Sequence, residues 1–208
     1  FDKNKVEVLK KSYSVRLKIE SLRQSEGSEL QAQVAIHEAG HTVAAIYGAN
    51  ILPTEVVSRS ANMSEGHCAA EIPSTGIHTR EELEKDILLS LGGYAAEKLI
   101  FGEHRIANGT SGDFERATSI ALQMAKSFGM VGKAPMLYGH KSANTNYNWN
   151  SSQVNDMDDL AEKIILEAEK KCIKILEENK LLLLKIGEYL SENSRMGSNK
   201  IQEFINKY

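Results

Sequence analysis

A mainly α-helical fold, with a small β-sheet or hairpin and a C-terminal helical hairpin, is what this sequence predicts. Three observations carry that reading. Only three prolines interrupt 208 residues rich in Leu, Ile, Ala, Glu and Lys, the residues helices favour. Two segments, Ser28-Glu29-Leu30-Gln31 and Thr79-Arg80-Glu81-Glu82, have the form of capping boxes that open helices. Apolar residues recur at helical spacing through the C-terminal part, at Leu160, Ile164, Ala168, Cys172 and Ile175, then at Leu183, Ile186 and Leu190.

The elements run in order along the chain. Residues 1–26 read as a charged helix with a narrow apolar stripe at Val8, Val15, Ile19 and Leu22, so 1–27 is set apart as a leading helix or linker. With Ser28 as N-cap, a helix runs to about Tyr47, and Gly48 takes the C′ position. Residues 51–73 change character. Ile51, Val56 and Val57 lie near Pro53, and Gly66 and Pro73 punctuate the remainder, a pattern that predicts two or three short strands. Thr79 caps a second helix that reaches about Phe101 and stops at Gly102. A turn rich in Gly, Ser and Asn spans 108–112, and a third helix covers about 113–128. Residues 132–152, with the only Trp at 149, read as a loop. Helices at about 156–178 and 180–193 form the hairpin, and a short helix from about Asn199 comes last. One domain is expected over 28–208, divided into 28–152 and 153–208.

Composition excludes several classes of function. The apolar share is 41% and the charged share 25%, as in ordinary globular domains, with a net charge of −3. No strong field draws such a chain to nucleic acid or to an anionic membrane. Cys68 and Cys172 form no CxxC and no disulfide framework. That fits a reducing compartment, the cytoplasm or the cytoplasmic face of a membrane. No apolar run, the four leucines at 181–184 included, approaches the ~18 residues of a membrane helix. The first residues lack the apolar stretch of a signal peptide, and a start at Phe1 suggests an excised piece whose anchors would lie elsewhere. Gly132-Lys133 lacks a phosphate-binding frame, so ATP is not expected to bind this chain.

The chemistry concentrates in His37-Glu38-Ala39-Gly40-His41, an HExxH pattern. On a helix, residues i and i+4 share one face, with Cβ atoms ~6 Å apart. Two imidazoles so placed can converge on one tetrahedral zinc ion. Glu38, at the edge of that face, can take a proton from a metal-activated water and return it to a leaving amine. Chance produces the pattern in about 2 of 100 chains of this composition. Two imidazoles and a carboxylate on the inward stripe of Leu30, Val34, His37, His41 and Ala45 would otherwise incur a desolvation cost. A third protein ligand is needed, and the nearby positions fail: Ala44 and Tyr47 stand where an extended signature would need Gly and His. Glu97 and Asp113 are the candidates, and spacing does not choose between them. Asp113 could instead be a capping acid. His67, His78, His104 and His140 have no ligand spacing, and Gly92-Gly93 inside a helix suits close packing rather than phosphate binding.

Further segments give a specific resemblance. His37-Glu38-Ala39-Gly40-His41 resembles the HEAGH motif of the FtsH-type, ATP-dependent zinc metalloproteases. The run from Leu91 to Gly102, LGGYAAEKLIFG, looks like that family's LGGRAAEELIFG. Thr110-Ser111-Gly112-Asp113-Phe114-Glu115-Arg116-Ala117-Thr118 is similar to TGASNDLERAT, with an altered and shortened turn. Phe128-Gly129-Met130 matches the YGM beyond that segment, and IKILEENKLL at 173–182 is similar to the family's C-terminal helix. The likeness covers roughly 30–205. It implies a helical metallopeptidase domain with one Zn2+ per chain held by His37, His41 and Asp113, with Glu38 as general base. Glu97 then becomes the runner-up ligand or a supporting group. The resemblance also implies that Gly66, His67, Cys68 and Ala69 lie on a strand that holds substrate by backbone pairing. Unfolded proteins would be the substrates, an AAA ATPase module or subunit the partner, and a homo-hexamer the assembly. Membrane contact would come only through segments outside this sequence. The alternative is a catalytically inactive, peptidase-like scaffold for ring assembly or partner binding.

Overall fold

A computed structural model describes residues 28–58, 66–70, 76–131 and 151–208. The expected leading helix of 1–26 and most of the expected loop of 132–152 lie outside the described residues. Among those described, the chain forms seven α-helices and one three-stranded sheet. The order is α1 (Ser28–Val43), β1 (Glu55–Val57), β2 (His67–Ala69), α2 (Arg80–Ser90), α3 (Gly92–Phe101), α4 (Ser111–Lys126), α5 (Ser151–Glu178), α6 (Lys180–Asn193), β3 (Arg195–Gly197) and α7 (Ser198–Lys207). The mainly α fold class with a small sheet is therefore what the chain adopts. No described helix is long and apolar enough to cross a membrane.

Two apolar cores organise the helices. In the first, Ala35, Ile36, Ala39 and Val43 of α1 pack with Ala95, Ala96 and Ile100 of α3 and with Leu183, Ile186 and Leu190 of α6. Val56 of β1, Met196 of β3 and Ile201 of α7 close it. In the second, Leu83 and Ile87 of α2 meet Ala117, Ala121 and Met124 of α4 and Met157, Ala161 and Ile164 of α5. The long helix α5 serves both, because Cys172 and Leu176, further along it, enter the first core. Helix α6 starts after Asn179, at the end of α5, and lies along α1, whereas α5 lies along α4.

Local chemistry explains the element ends. The box at Thr79 forms as expected: its hydroxyl accepts from the Glu82 amide, and the Glu82 carboxylate accepts from the Thr79 amide. Three boundaries differ from the sequence reading. Helix α1 ends in a π-helical turn over Ala44–Ala49, and Asn50 rather than Gly48 supplies the left-handed cap, at φ 59°. The helix expected from 79 to 101 divides at Leu91, and α4 begins at Ser111, after a short 3-10 turn over Asn108–Thr110. The sheet takes its third strand from the far end of the chain. Its order is β2-β1-β3, all antiparallel, with Val56 opposite Cys68 on one side and Met196 on the other. That places β2 at the sheet's edge, against α1.

Candidate metal centre

His37 and His41 stand on successive turns of α1, and Asp113 stands in the first turn of α4. The three therefore come from elements of different cores and meet at the seam between them. His37 Nε2 lies 3.0 Å from His41 Nε2, and Asp113 Oδ2 lies 3.1 Å and 3.2 Å from these two nitrogens. Among the described residues this is the one group of His, Cys, Asp or Glu whose donor atoms converge in this way. The side chains are 13%, 14% and 25% exposed, so the cluster is sheltered but open on one side.

Hydrogen bonding behind the rings fixes which nitrogen faces the cluster. His41 Nδ1 lies 2.7 Å from the Leu89 carbonyl, which can only accept, so that nitrogen carries the proton. His37 Nδ1 donates to Glu97 Oε1 at 2.8 Å. On neutral rings both Nε2 atoms are then bare lone pairs. Asp113 Oδ2 is buried beside them and accepts no hydrogen bond. In that neutral form three electron-pair donors face one another, an arrangement that calls for positive charge at its centre. A proton on His37 Nε2 would meet the same demand: burial opposes protonation, but the contacts with Asp113 and Glu97 prevail and raise the pKa to about 10, so a cation at the centre competes with that proton. Burial likewise opposes ionisation of Asp113, and the His37 and His41 contacts outweigh it, holding the carboxyl well below the usual carboxylate range. Ligands of a tetrahedral zinc with bonds of ~2.1 Å stand ~3.4 Å apart, a few tenths of an ångström beyond the spacings seen. The donor set, two imidazoles and a carboxylate, fits zinc and leaves a fourth position open.

Small residues let α3 approach the rings. A Cβ added at Gly93 would fall 2.3 Å from His37 Cε1, and one at Gly92 2.8 Å from His41 Cα. The glycine pair is thus a packing device, as expected from its place in a helical pattern. The division between α2 and α3 has a consequence as well. Leu89 sits in the last turn of α2, and its carbonyl, which also receives the Leu91 amide, points at His41 Nδ1 and accepts from it.

Glu97 lies outside the cluster. It is 1% exposed, and besides His37 it accepts from Gln33 Nε2 at 3.0 Å and from the Ala107 amide at 2.7 Å, both on Oε2. Its place behind the ring is that of a carboxylate that orients a histidine. On the other side, Phe114 packs edge-to-face on Tyr94 at 5.0 Å, and the Tyr94 hydroxyl donates to Glu169 Oε1 at 3.3 Å, which also receives Lys98. These contacts pin the start of α4 against α3 and α5.

Glu38 is 4% exposed, and its Oε2 has no hydrogen-bond partner. Burial raises its pKa, while the charges of His41 and His37 act in the opposite sense. The strand β2 lies over it. A Cβ on Gly66 would come within 2.8 Å of Glu38 Cγ, so only glycine lets the strand sit this close. Cys68 points the same way, with Sγ 3.7 Å from Thr42 Oγ1. His67 alternates to the other face and is exposed, and Ala69 pairs with Glu55. The structure therefore brings Gly66 and Cys68 against the helix of Glu38, and turns His67 away. The groups that sequence reasoning missed are Gln33, the Leu89 carbonyl and the Ala107 amide. Backbone groups leave no residue signal, but Gln33 stands one turn before His37 on its face of α1 and could have been found from that spacing.

Comparison with known proteins adds to this picture. The family model described as peptidase family M41 matches residues 25–204. An ATP-dependent zinc metalloprotease FtsH of Mycoplasma mobile is 32% identical over 182 residues, 81% of this chain and 25% of that protein. One from Neorickettsia risticii is 27% identical over 177 residues, 82% of this chain and 27% of its own length. One from Mycoplasmopsis pulmonis is 31% identical over 188 residues, covering 86% and 26%. The chain spans about a quarter of the length of these curated relatives.

Proposed function

The chain belongs to peptidase family M41, and on that premise we propose that residues 28–208 form a zinc endopeptidase unit that hydrolyses peptide bonds of unfolded polypeptides. The observation that carries the reading is the convergence of His37 Nε2, His41 Nε2 and Asp113 Oδ2, which lie 3.0–3.2 Å from one another. These three would hold one zinc ion per chain. Zinc supplies a water acidic enough to ionise near neutral pH and a Lewis acid for the scissile carbonyl. Glu97 and the Leu89 carbonyl keep the two Nε2 lone pairs aimed inward. Glu38 accepts the proton that the attacking water gives up, and delivers it to the departing amine nitrogen. Its burial, with one oxygen unpartnered, leaves it free for that exchange. The outer edge of β2 offers backbone N–H and C=O groups to an extended substrate. Pairing of that kind reads little sequence, which suits unfolded chains.

The relatives are ATP-dependent zinc metalloproteases, which supports coupling to ATP. We extend that to this chain as work done by an AAA ATPase module outside it, in a hexameric assembly. The experiment is Glu38→Gln in the zinc-loaded chain, with casein as substrate. Zinc content stays near one per chain and cleavage disappears. Retained cleavage refutes Glu38 as the base. Zinc near zero in the wild-type chain, with assembly unchanged by His37→Ala, would favour an inactive scaffold.

A further inference from the structure

We propose that Gln33 is a positioning residue for this centre: its carboxamide locks the segment that delivers Asp113 onto the helix that carries His37 and His41. The proposal rests on the metal-site reading above and extends it to a residue that touches none of the three donors.

The bonds form a short path. His37 occupies Glu97 Oε1, which leaves Oε2 to face the link between α3 and α4. Gln33 Nε2 donates one hydrogen to Glu97 Oε2 at 3.0 Å and one to the Arg105 carbonyl at 2.9 Å. Both partners are acceptors, so only the amino end of the carboxamide can face them, and both its hydrogens are used. The Ala107 amide donates to the same Oε2 at 2.7 Å. Arg105 and Ala107 lie at the middle of the link that begins at Gly102 and ends at Thr110. The Thr110 hydroxyl, 3% exposed, donates to the Ala107 carbonyl at 3.0 Å and passes the constraint to the first turn of α4, where Asp113 lies.

That path has two consequences. Gln33 reaches His37 through one intervening carboxylate, and Asp113 through Ala107 and Thr110. It therefore helps set the separation of two donors that belong to different cores. Glu97 is also buried, and a buried carboxylate oxygen stripped of a donor loses a charge-assisted bond and its solvent together. Removing the Gln33 amino group leaves Oε2 with the Ala107 amide alone among these partners, and leaves Arg105 without its side-chain donor.

The test uses the full 208-residue chain and three substitutions. Gln33→Met keeps the length and removes the donors. Gln33→Glu keeps the shape and sets a second carboxylate beside Glu97. Gln33→Lys retains donors that can reach both acceptors. Zinc affinity is measured by competition with a chromophoric chelator, and hydrogen exchange of the Ala107 amide is followed in the metal-free protein. Met and Glu weaken zinc binding by about tenfold or more, as loss of a group supporting a ligand does, while Lys stays within about threefold of wild type. Ala107 exchanges faster in Gln33→Met, and in a Glu97→Ala background the same change weakens zinc no further. Zinc affinity within about twofold of wild type in both Met and Glu variants overturns the clamp, as does unchanged Ala107 exchange. If Gln33→Glu does not fold, Met and Lys carry the comparison. A wild-type chain that binds no zinc defeats the metal-site reading instead, and Ala107 exchange in Gln33→Met still decides whether the clamp exists.

Discussion

Gly93→Ala places a methyl group where the His37 ring stands. The added Cβ would lie 2.3 Å from Cε1, 2.4 Å from Nε2 and 2.5 Å from Nδ1. Contacts between such atoms settle near ~3.5 Å, so the ring must retreat by about 1 Å. Retreat strains both ends of the imidazole at once: Nδ1 leaves its 2.8 Å bond to Glu97, and Nε2 leaves its place 3.1 Å from Asp113 Oδ2. Metal–ligand distances tolerate only about 0.2 Å, so the retreat removes His37 from the donor set. The cost to the fold is smaller. Overpacking costs ~1–3 kcal/mol, and replacing glycine inside a helix returns ~0.5–1 kcal/mol. We expect the apo chain to melt only a few degrees lower, roughly 2–4 °C per kcal/mol at this size. Zinc affinity should fall at least 100-fold, given ~10–100-fold for loss of a mere supporting group. Gly112→Ala is the control, because a Cβ there meets nothing within 4 Å although its neighbour is Asp113. It should stabilise α4 by ~0.5–1 kcal/mol and leave zinc affinity unchanged. Calorimetry of the apo chains and zinc competition read both quantities. A Gly93→Ala chain that binds zinc as tightly as wild type would refute the reasoning.

The same geometry sets two other outcomes. Gly66→Ala brings a Cβ to 2.5 Å from the Val57 carbonyl and 2.8 Å from Glu38 Cγ, so β2 must lift from α1; kcat/KM should fall by about 100-fold, the cost of misplacing reactants by ~1 Å, with zinc content intact. Equal kcat/KM would remove β2 from the substrate path. Burial, with a smaller push from Glu169, drives the Cys172 thiol up to about 12 from 9.0. The folded chain then holds that proton more tightly than the unfolded one, so this contribution to stability is complete below pH 9 and is lost as pH rises towards 12. Urea midpoints should fall over that interval by more in wild type than in Cys172→Ala, and equal losses would contradict the assignment.

Much of this site was legible because its first half is local. His37, Glu38 and His41 need only a helix to share a face, and Ala35, Ile36, Ala39 and Val43 supply that helix with a buried side. Asp113, 72 residues beyond His41, is joined to them by packing of α4 on α2 and α5, which no spacing encodes; the resemblance supplied it. The same limit hid β3, whose three residues include one buried side chain, Met196, and show no period. The break between α2 and α3 was hidden for another reason. Ile87, Leu88, Leu91 and Ala95 keep a helical apolar rhythm across it, so the apolar pattern does not mark the division. The π turn at Ala44–Ala49 likewise comes from packing, since its residues would suit an α-helix equally well.

The proposed function stands on one zinc ion gripped by two imidazoles and Asp113, with Glu97 behind them. Zinc content after gel filtration, measured side by side for wild type, Asp113→Ala and Glu97→Ala, tests it most directly. We predict about one ion per chain in wild type, near none in Asp113→Ala, and binding retained but weakened by ~10–100-fold in Glu97→Ala. Full zinc in Asp113→Ala with none in Glu97→Ala would contradict it.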